Sequence, residues 1–248
     1  MADKLRLSER TVYKMVRERK LPAARVGGVY RLNEQEINEW LREQSSTARA
    51  GIETGENDQA LLLRIKDEPD QLRKRLMFVG LTARKLGAVR NKPVIVGGVA
   101  VEFYTAGGYA TTGIDLVYPS EPLDEVFGAF GMESKGRFWY SEELGILVKA
   151  PSAFLDSEAK ERLIQVKVDD LTVFILGVED LIADRLNAYV HWKSTDDGNW
   201  VRELIAIHAG DIDWAYLKKT ATADKTGKAL EALIADLGIG KEALDEND

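Results

Sequence analysis

The stretch VIVGGVAVEFYTAGGYATTGIDLVYPS, residues 94–120, decides the fold of the larger part of this chain. It begins with a short apolar run, Val94 to Val96, whose length and β-branched residues predict a buried strand. Gly97 and Gly98 follow directly and open a predicted helix. After a glycine-containing loop, a second predicted strand carries Asp115. This order of elements predicts a sheet with helices packed beside it.

The flanking sequence extends this unit into a larger α+β domain. Pro69 stands near the start of an amphipathic helix, where a proline is compatible with the first turn. The apolar stripe of this helix is formed by Leu72, Leu76, Val79 and Leu86. The residues predicted to face outward are Arg73, Lys74 and Arg75. Downstream, Asp169 and Asp170 predict a hairpin turn, so we expect a mixed sheet over about 92–176 and helices over 178–240.

Composition excludes several classes of protein. The chain has 248 residues, of which 45% are hydrophobic and 30% charged, as in ordinary globular proteins. It has no cysteine, which excludes a disulfide scaffold, a cysteine-ligated metal site and a thiol nucleophile. The two histidines are too few for a histidine-rich metal site. No apolar run approaches the ~20 residues of a membrane span, and no signal core is present, so we expect a cytoplasmic protein with no membrane partner.

Charge is distributed unevenly along the chain. Residues 1–31 hold nine lysines and arginines against three acidic residues, whereas the whole chain has a net charge of −7. A basic end on an acidic body predicts a small anion-binding module joined to a different kind of domain. Charge alone does not separate this interpretation from a solvated charged helix, but the residue pattern does.

The N-terminal pattern predicts a helix, a hairpin and a second helix. Ser8 stands before a helical stretch and is a candidate N-cap. Pro22 ends that helix, and Gly27-Gly28 marks the turn of a short hairpin in ARVGGVYRL. The segment EINEWL then has apolar residues at helical spacing.

The run LSERTVYKMVRERKLPAARVGGVYRL followed by EINEWL resembles the excisionase-type, mercury-resistance-regulator-like helix-turn-helix domain. The resemblance implies that the helix after the serine enters the major groove of DNA and that the hairpin is a wing. The groove or phosphate contacts that it implies are Ser8, Arg10, Thr11, Tyr13, Lys14 and Arg17. The wing residues that it implies are Arg25, Gly27, Gly28, Tyr30 and Arg31. Arginine and lysine supply phosphate contacts, and arginine and threonine can read base edges.

The resemblance implies a full helix before the serine, and only MADKLRL precedes it here, so we expect a truncated first helix. Either the domain functions with a stub, or the true start of the gene lies upstream. A packing or dimerisation module that does not bind DNA is a further alternative. Because a module of this size binds DNA weakly alone, we expect a homodimer or another partner.

Composition divides the chain into domains. Residues 45–58 are small, polar and glycine-containing, which predicts a flexible linker. The sequence therefore predicts a winged helix-turn-helix over 1–44 and a second domain over 59–248.

Three motifs of the second domain resemble the minimal nucleotidyltransferases found with prokaryotic toxin–antitoxin and abortive-infection systems. They are VGGVAVEFY, TTGIDLV and EDLIADRL. The resemblance implies a nucleotidyltransferase-like mixed sheet with C-terminal helices. It also implies Mg²⁺ and an NTP as cofactors of an active enzyme, with RNA or protein as the acceptor.

Nucleotidyl transfer explains why these residue types matter. Carboxylates at i and i+2 of one strand project to the same face, where they can share two Mg²⁺ ions. Glycines at a helix start let backbone N–H groups approach phosphates. The nucleotide contacts implied by the resemblance are Gly97, Gly98, Asp115, Lys149 and Arg185. Asp115 is also the implied catalytic and metal-binding residue.

The metal-binding pattern of that family is incomplete in this chain. The family pattern Asp-Ile-Asp is here Gly113-Ile114-Asp115, so its first carboxylate is missing. The third carboxylate lies on a neighbouring strand, and the nearest match, VKAP, has Lys149 in its place. A single carboxylate cannot clamp two Mg²⁺ ions.

Three interpretations follow. In the first, which we favour, the enzyme is degenerate and the fold is retained to bind a nucleotide, RNA or a partner. In the second, activity survives with other ligands, for which the candidates are Glu102, Glu142, Glu143, Asp169 and Asp170. In the third, Lys149 takes the electrostatic place of a metal and pairs with Asp115 or a phosphate.

Further candidate contacts each have a structural alternative. Arg137 is a candidate phosphate contact and Trp139 a candidate base-stacking residue, whereas a hairpin with core aromatics is the favoured alternative. The alternative for Arg185 is a surface ion pair. Asp196 or Asp197 is the predicted cap of the next helix.

The sequence thus predicts an α+β protein with a DNA-binding head. We expect a regulatory or defence-associated protein with a nucleotidyltransferase-fold body that is catalytically degenerate. One alternative is an active Mg²⁺-dependent nucleotidyltransferase that transfers NMP from NTP to RNA or protein. Another is a DNA-binding regulator whose body only mediates dimerisation. Expected partners are DNA, a nucleotide or RNA, a second copy, and a cognate toxin or antitoxin.

Overall fold

The computed structural model describes residues 24–26, 29–31, 56–87 and 92–239. The chain forms two compact units, which comprise residues 1–53 and residues 54–248.

The first unit contains the hairpin that the sequence predicts. Strands β1 (Ala24–Val26) and β2 (Val29–Arg31) pair antiparallel, with Val26 opposite Val29. The Gly27-Gly28 turn predicted between them lies outside the described residues. The helices predicted before and after this hairpin lie outside the described residues.

The described elements of the second unit alternate between helices and strands. In chain order they are α1 (Glu56–Asp67), α2 (Gln71–Leu86), β3 (Val94–Val96), α3 (Gly97–Tyr104), β4 (Ile114–Val117), α4 (Ser120–Ala129), β5 (Glu133–Lys135), β6 (Phe138–Ser141), β7 (Ile146–Ser152), α5 (Ser157–Glu161), β8 (Ile164–Val168), β9 (Leu171–Ile175), α6 (Val178–His191), α7 (Thr195–His208), α8 (Trp214–Ala223) and α9 (Gly227–Asp236).

Strands β3 to β9 form one mixed sheet in the order β5-β6-β7-β4-β3-β9-β8. Strand β3 runs parallel to β9 and β4 runs parallel to β7, whereas the other neighbours are antiparallel. The predicted α+β class with a mixed sheet is therefore confirmed. Because β3 and β4 are interior strands, the Gly-Gly turn after β3 lies away from the sheet edges.

The sheet buries one face against helices. Strand side chains alternate between the faces. Fully buried residues of this face are Trp139, Val148, Leu116, Ile95 and Val173. Phe127 of α4 contacts Trp139 edge-on, with ring centroids 5.2 Å apart, and stacks on Phe78 of α2 at 5.6 Å. The other face carries the candidate site.

Helix α2 buries more of its surface than its apolar stripe predicts. Leu76 and Val79 of that stripe are buried as predicted. The prediction that Lys74 and Arg75 face outward is wrong. Lys74 is 8% exposed and donates to the Lys66 carbonyl, while Arg75 forms an ion pair with a residue of α3. Both cations can be buried because each has hydrogen-bond partners.

Helix α1 begins at Glu56, so a helix occupies the end of the linker predicted over 45–58. Leu61 and Ile65 are buried one helical turn apart. Apolar residues at i and i+4 indicate a helical face, so the sequence carried this signal. The polar residues at the start of the helix resemble the linker in composition, and they obscured this helical signal.

Two predicted hairpins are present in the sheet. Strands β8 and β9 pair antiparallel around Asp169 and Asp170, which confirms the turn predicted there. Strands β6 and β7 form the other hairpin. Trp139 of β6 is fully buried and its Nε1 donates to Asp124, so the base-stacking role considered for it is wrong.

The C-terminal helices begin with side-chain caps at several points. The Ser194 hydroxyl accepts a hydrogen bond from the Asp197 N–H, so Ser194 caps α7. The prediction of a cap at Asp196 or Asp197 is therefore wrong, because Asp197 pairs with Arg185 instead. None of the described helices is long and apolar enough to cross a membrane.

Candidate functional site

The candidate site forms where the Gly-Gly turn meets strand β4. Val96, the last residue of β3, pairs with Asp115 of β4, which places Asp115 beside the start of α3. The Gly98 N–H lies close enough to the Asp115 carboxylate to lower the pKa of that carboxyl. Val96 itself supplies no side-chain cap to α3. Asp115 therefore takes the position of an anion at this helix N-terminus, where free N–H groups favour negative charge.

Gly97 and Gly98 make this close approach possible. Gly97 has a φ of +63°, and a Cβ at this position would lie 2.5 Å from Asp115 Oδ2. At Gly98 a Cβ would lie 2.7 Å from Thr111 Oγ1. Residues with side chains would therefore push Asp115 and Thr111 away from the start of the helix.

Two cations lie beside Asp115. Lys149 of β7 is directly opposite Asp115 of β4, and paired residues of neighbouring strands project to the same face. Arg185 of α6 is close enough to lower the pKa of the Asp115 carboxyl. The structure thus brings together the residues for which the sequence predicts nucleotide contacts, namely Gly97, Gly98, Asp115, Lys149 and Arg185.

The pKa of the Asp115 carboxyl is raised above its ordinary value, chiefly because the group is buried. Lys149, Arg185 and the Gly98 N–H lower this pKa, and the Asp184 carboxylate raises it. Burial raises this pKa by more than these favourable partners lower it. The folded protein therefore holds Asp115 in its charged form at a cost in stability.

Arg185 is anchored by two carboxylates. Its Nη1 donates to Asp197 Oδ1 at 2.8 Å, and its Nη2 lies 3.2 Å from Asp184 Oδ2. The ion pair considered for Arg185 from the sequence is therefore present, but the side chains of Arg185 and Asp197 are only 19% and 18% exposed, so it is not a surface pair. The buried Arg185 Nε has no hydrogen-bond partner in the described part of the chain. Arg185 thus contributes a fixed positive charge next to Asp115.

This set of residues does not fit Mg²⁺. The ion takes several oxygen ligands, whereas the neighbours of Asp115 include two cations. Gly113 supplies no ligand, although a Cβ there would meet Leu147 at an ordinary 3.5 Å. Within residues 56–87 and 92–239, no three Asp, Glu, His or Cys side chains lie close enough to hold a metal ion.

The carboxylates considered as replacement ligands have other partners. The pairs are Glu102 with Arg75, Glu143 with Lys66, Asp169 with Arg64 and Arg73, and Asp170 with Arg84. Glu142 is exposed between β6 and β7. The described structure therefore does not assemble the alternative ligand set.

An ion pair that the sequence analysis missed holds the surroundings of the site. Arg75 Nη1 of α2 lies 2.7 Å from Glu102 Oε2 of α3, and Arg75 Nη2 donates to the Thr111 carbonyl. Thr111 precedes β4 and packs on Gly98. The Arg75 side chain therefore connects α2, α3 and the loop before β4. No local pattern indicates it, because Arg75 and Glu102 are 27 positions apart.

The DNA contacts implied by the resemblance belong to the first unit. Arg25, Tyr30 and Arg31 lie on β1 and β2. The others lie outside the described residues and are Ser8, Arg10, Thr11, Tyr13, Lys14, Arg17, Gly27 and Gly28.

Comparison with known proteins bears on this first unit. Residues 1–45 match the family described as helix-turn-helix domain. The match supports a DNA-binding segment and a DNA-binding regulatory role. No curated protein and no solved structure matches the chain.

Asp115→Asn is expected to raise the melting temperature at neutral pH. The change removes a buried charge, while the amide oxygen can still face the nearby Gly98 N–H as an acceptor. Because the pKa of Asp115 is raised in the folded state, wild-type stability falls as the pH rises through that pKa, and the variant lacks this loss. Each kcal/mol gained raises Tm by about 2–4 °C.

Thermal denaturation at neutral pH and near pH 4 measures this effect. The difference between variant and wild type should narrow at the lower pH, because a raised pKa means that Asp115 takes up its proton earlier as the pH falls. Asp211→Asn, at an exposed position, is the control and should change stability by less than about 0.5 kcal/mol. An Asp115→Asn protein that melts below wild type at neutral pH contradicts the prediction.

Proposed function

We propose that this chain is a DNA-binding regulatory protein whose second unit is a nucleotidyltransferase-like body without metal-dependent catalysis. The match of residues 1–45 to the helix-turn-helix domain supports the DNA-binding part. The observation that carries the other part is the position of Lys149 directly opposite Asp115 on the neighbouring strand, because the resemblance places the third metal-binding carboxylate at position 149.

In this proposal, Lys149 acts as the cation at Asp115. Nucleotidyl transfer needs a metal that bridges the triphosphate and activates the acceptor hydroxyl, and one carboxylate between two cations does not hold it. A nucleotide phosphate that displaces Asp115 from the Gly98 N–H would meet the helix N-terminus together with Lys149 and Arg185. The body then binds an anion without transforming it.

The resemblance extends the proposal to the cellular role. We propose a function in a toxin–antitoxin or abortive-infection system, with a second copy or a cognate toxin or antitoxin as partner. RNA is the alternative ligand of the body.

Label transfer tests the catalytic part of the proposal. Wild type, Asp115→Ala and Gly113→Asp/Lys149→Glu are incubated with radiolabelled NTPs, Mg²⁺ or Mn²⁺ and total RNA. We expect no transfer by wild type, and Mg²⁺-dependent nucleotide binding gained by the double variant. Residue 113 has room for a side chain, since its Cβ would meet Leu147 at 3.5 Å. Transfer by wild type that is lost in Asp115→Ala overturns the proposal.

The same preparations are used for a DNA-binding readout. Fluorescence anisotropy with short random duplexes should show binding that weakens with salt. Arg10→Ala/Lys14→Ala should reduce the slope of log K against log salt by roughly two, because each phosphate contact contributes about one. The charge-matched control is Lys218→Ala/Lys228→Ala, at exposed positions of α8 and α9. Equal binding by the two double variants contradicts the assigned DNA contacts.

A further inference from the structure

A cavity of about 390 Å³ opens on the face of the sheet that carries Asp115. Its floor contains Val94, Val117 and Phe174, which lie side by side on β3, β4 and β9. Val94 and Val96 are two residues apart and so project to the same face, as do their partners Val117 and Asp115. The cavity floor therefore begins about 7 Å from Asp115 along β4.

The cavity is nevertheless separate from the Asp115 cluster. Its lining includes none of the residues predicted to contact a nucleotide, Gly97, Gly98, Asp115, Lys149 and Arg185. It is lined instead by the ends of β3 and β4 opposite to the Gly-Gly turn and by the segment between β7 and β8. A ligand can therefore occupy it without displacing Asp115.

The cavity walls are aromatic and provide one unused hydroxyl group. Phe154, between β7 and α5, is 44% exposed although it is apolar. Tyr118, directly after β4, is 8% exposed, and its hydroxyl has no hydrogen-bond partner in the described part of the chain. Burial raises the pKa of Tyr118, so its hydroxyl remains a hydrogen-bond donor at neutral pH.

Two lysines make the cavity electropositive. Lys92 Nζ lies 4.1 Å from the centroid of the Phe174 ring, above the floor, and Lys160 of α5 also lines the cavity. Neither ammonium forms an ion pair with a carboxylate in the described ranges. The described lining contains no aspartate or glutamate. An anionic group at this position would therefore meet two uncompensated positive charges.

We propose that this cavity binds a small aromatic anion. The aromatic body would cover the floor at Val94, Val117 and Phe174, and the anionic group would lie near Lys92 and Lys160. The volume is in the range of small-molecule sites, which combine an apolar lining with a few polar groups. An aromatic carboxylic acid and a nucleoside monophosphate share this chemistry.

Isothermal titration calorimetry of the full chain with 2-naphthoate tests the proposal, with neutral 2-naphthalenemethanol as the matched probe. We expect one saturable site for naphthoate, with a Kd between about 10 µM and 1 mM. The alcohol should bind at least about fivefold more weakly. Equal affinities for the two probes would overturn the proposal, because the lysines would then contribute nothing.

Variants locate the binding to this cavity. Lys92→Ala and Lys160→Ala should each weaken naphthoate binding about two- to fivefold, as expected for partly exposed ion pairs. Lys167→Ala removes an exposed lysine of β8 outside the cavity and should leave the Kd unchanged. Ala153→Trp and Gln165→Trp place an indole in the lining at exposed positions and should abolish binding without changing the melting temperature. Full binding by both folded tryptophan variants rejects this site.

Competition identifies the source of the anion. Displacement of naphthoate by AMP indicates that the natural ligand is a nucleoside monophosphate. Naphthoate binding that AMP does not affect indicates a carboxylic acid. Either result supports anion binding in the cavity. Lys149→Ala changes only the Asp115 cluster. Naphthoate binding that is weakened by Lys149→Ala and not by Lys92→Ala overturns the proposal. None of these outcomes depends on DNA binding or label transfer. Failure of the cavity proposal can therefore be distinguished from failure of the proposed function.

Discussion

Arg75→Ala is expected to lower the free energy of unfolding by about 3–5 kcal/mol, the loss typical of removing one partner of a buried ion pair. The Arg75 and Glu102 side chains are 12% and 9% exposed, and Nη1 lies 2.7 Å from Oε2. Without Arg75, Glu102 keeps a buried charge that has lost its cation, and the Thr111 carbonyl loses a donor. Burial already raises the pKa of Glu102 in the wild type. The loss should therefore shrink as the pH falls and Glu102 becomes protonated.

Urea denaturation followed by circular dichroism measures this loss. Arg202→Ala is the matched control, because Arg202 binds Asp236 at 2.9 Å with side chains that are 42% and 56% exposed. It should cost less than about 1 kcal/mol. Arg75→Met/Glu102→Leu should recover most of the loss, since it leaves no buried charge. If Arg75→Ala loses no more than Arg202→Ala, the ion pair does not hold this part of the fold.

The elements of the larger unit that could be predicted are those decided by a few neighbouring residues. The apolar run Val94 to Val96 has the length and β-branching of a buried strand, and glycines end it at once. Asp169 and Asp170 separate two apolar runs by the length of a tight turn. Both predictions needed no information about distant segments, and the structure confirms both.

The predictions that failed depend on which segments meet in space. Lys74 and Arg75 follow a helical period that places them outside the apolar stripe. Their burial depends on acceptors at the Lys66 carbonyl and on Glu102, which lie on other elements. Because side chains alternate along a strand, Trp139 lies on the opposite face of β6 from its two neighbours. Which of the two faces is buried depends on the pairing with β7 and the packing of α4. The local periodicity of the sequence contains no information about these contacts between elements.

The candidate site likewise has features that could be predicted from the sequence and features that could not. The family resemblance implied that Gly97, Gly98 and Asp115 belong to one site, and the pairing of Val96 with Asp115 brings them together. The closeness of the Asp115 carboxylate to the Gly98 N–H depends on strand register, which the sequence does not show. The cavity had no sequence signal at all, because residues from several separate segments line it and none belongs to a motif.

Gly97→Ala is expected to lower the free energy of unfolding by about 2–5 kcal/mol, from two causes. The φ of +63° costs a residue with a Cβ about 1–2 kcal/mol. The Cβ would also lie 2.5 Å from Asp115 Oδ2 and 3.2 Å from Asp115 Cβ, so β4 or its carboxylate must shift, at about 1–3 kcal/mol. A displaced Asp115 also moves its negative charge away from the Gly98 N–H at the helix start. Urea denaturation measures the sum.

Gly131→Ala separates the two causes, because Gly131 has a φ of +72° and no described atom lies within 4 Å of its Cβ position. It should lose only the backbone part, about 1–2 kcal/mol. The excess loss in Gly97→Ala then measures the displacement of Asp115. Repeating both changes in an Asp115→Ala background removes Oδ2 and leaves only the 3.2 Å contact with the Cβ of residue 115, so most of the excess should disappear. An undiminished excess there would place the conflict at the Cβ of residue 115 or the backbone of β4, and the Asp115 carboxylate would then have no special role at the start of α3.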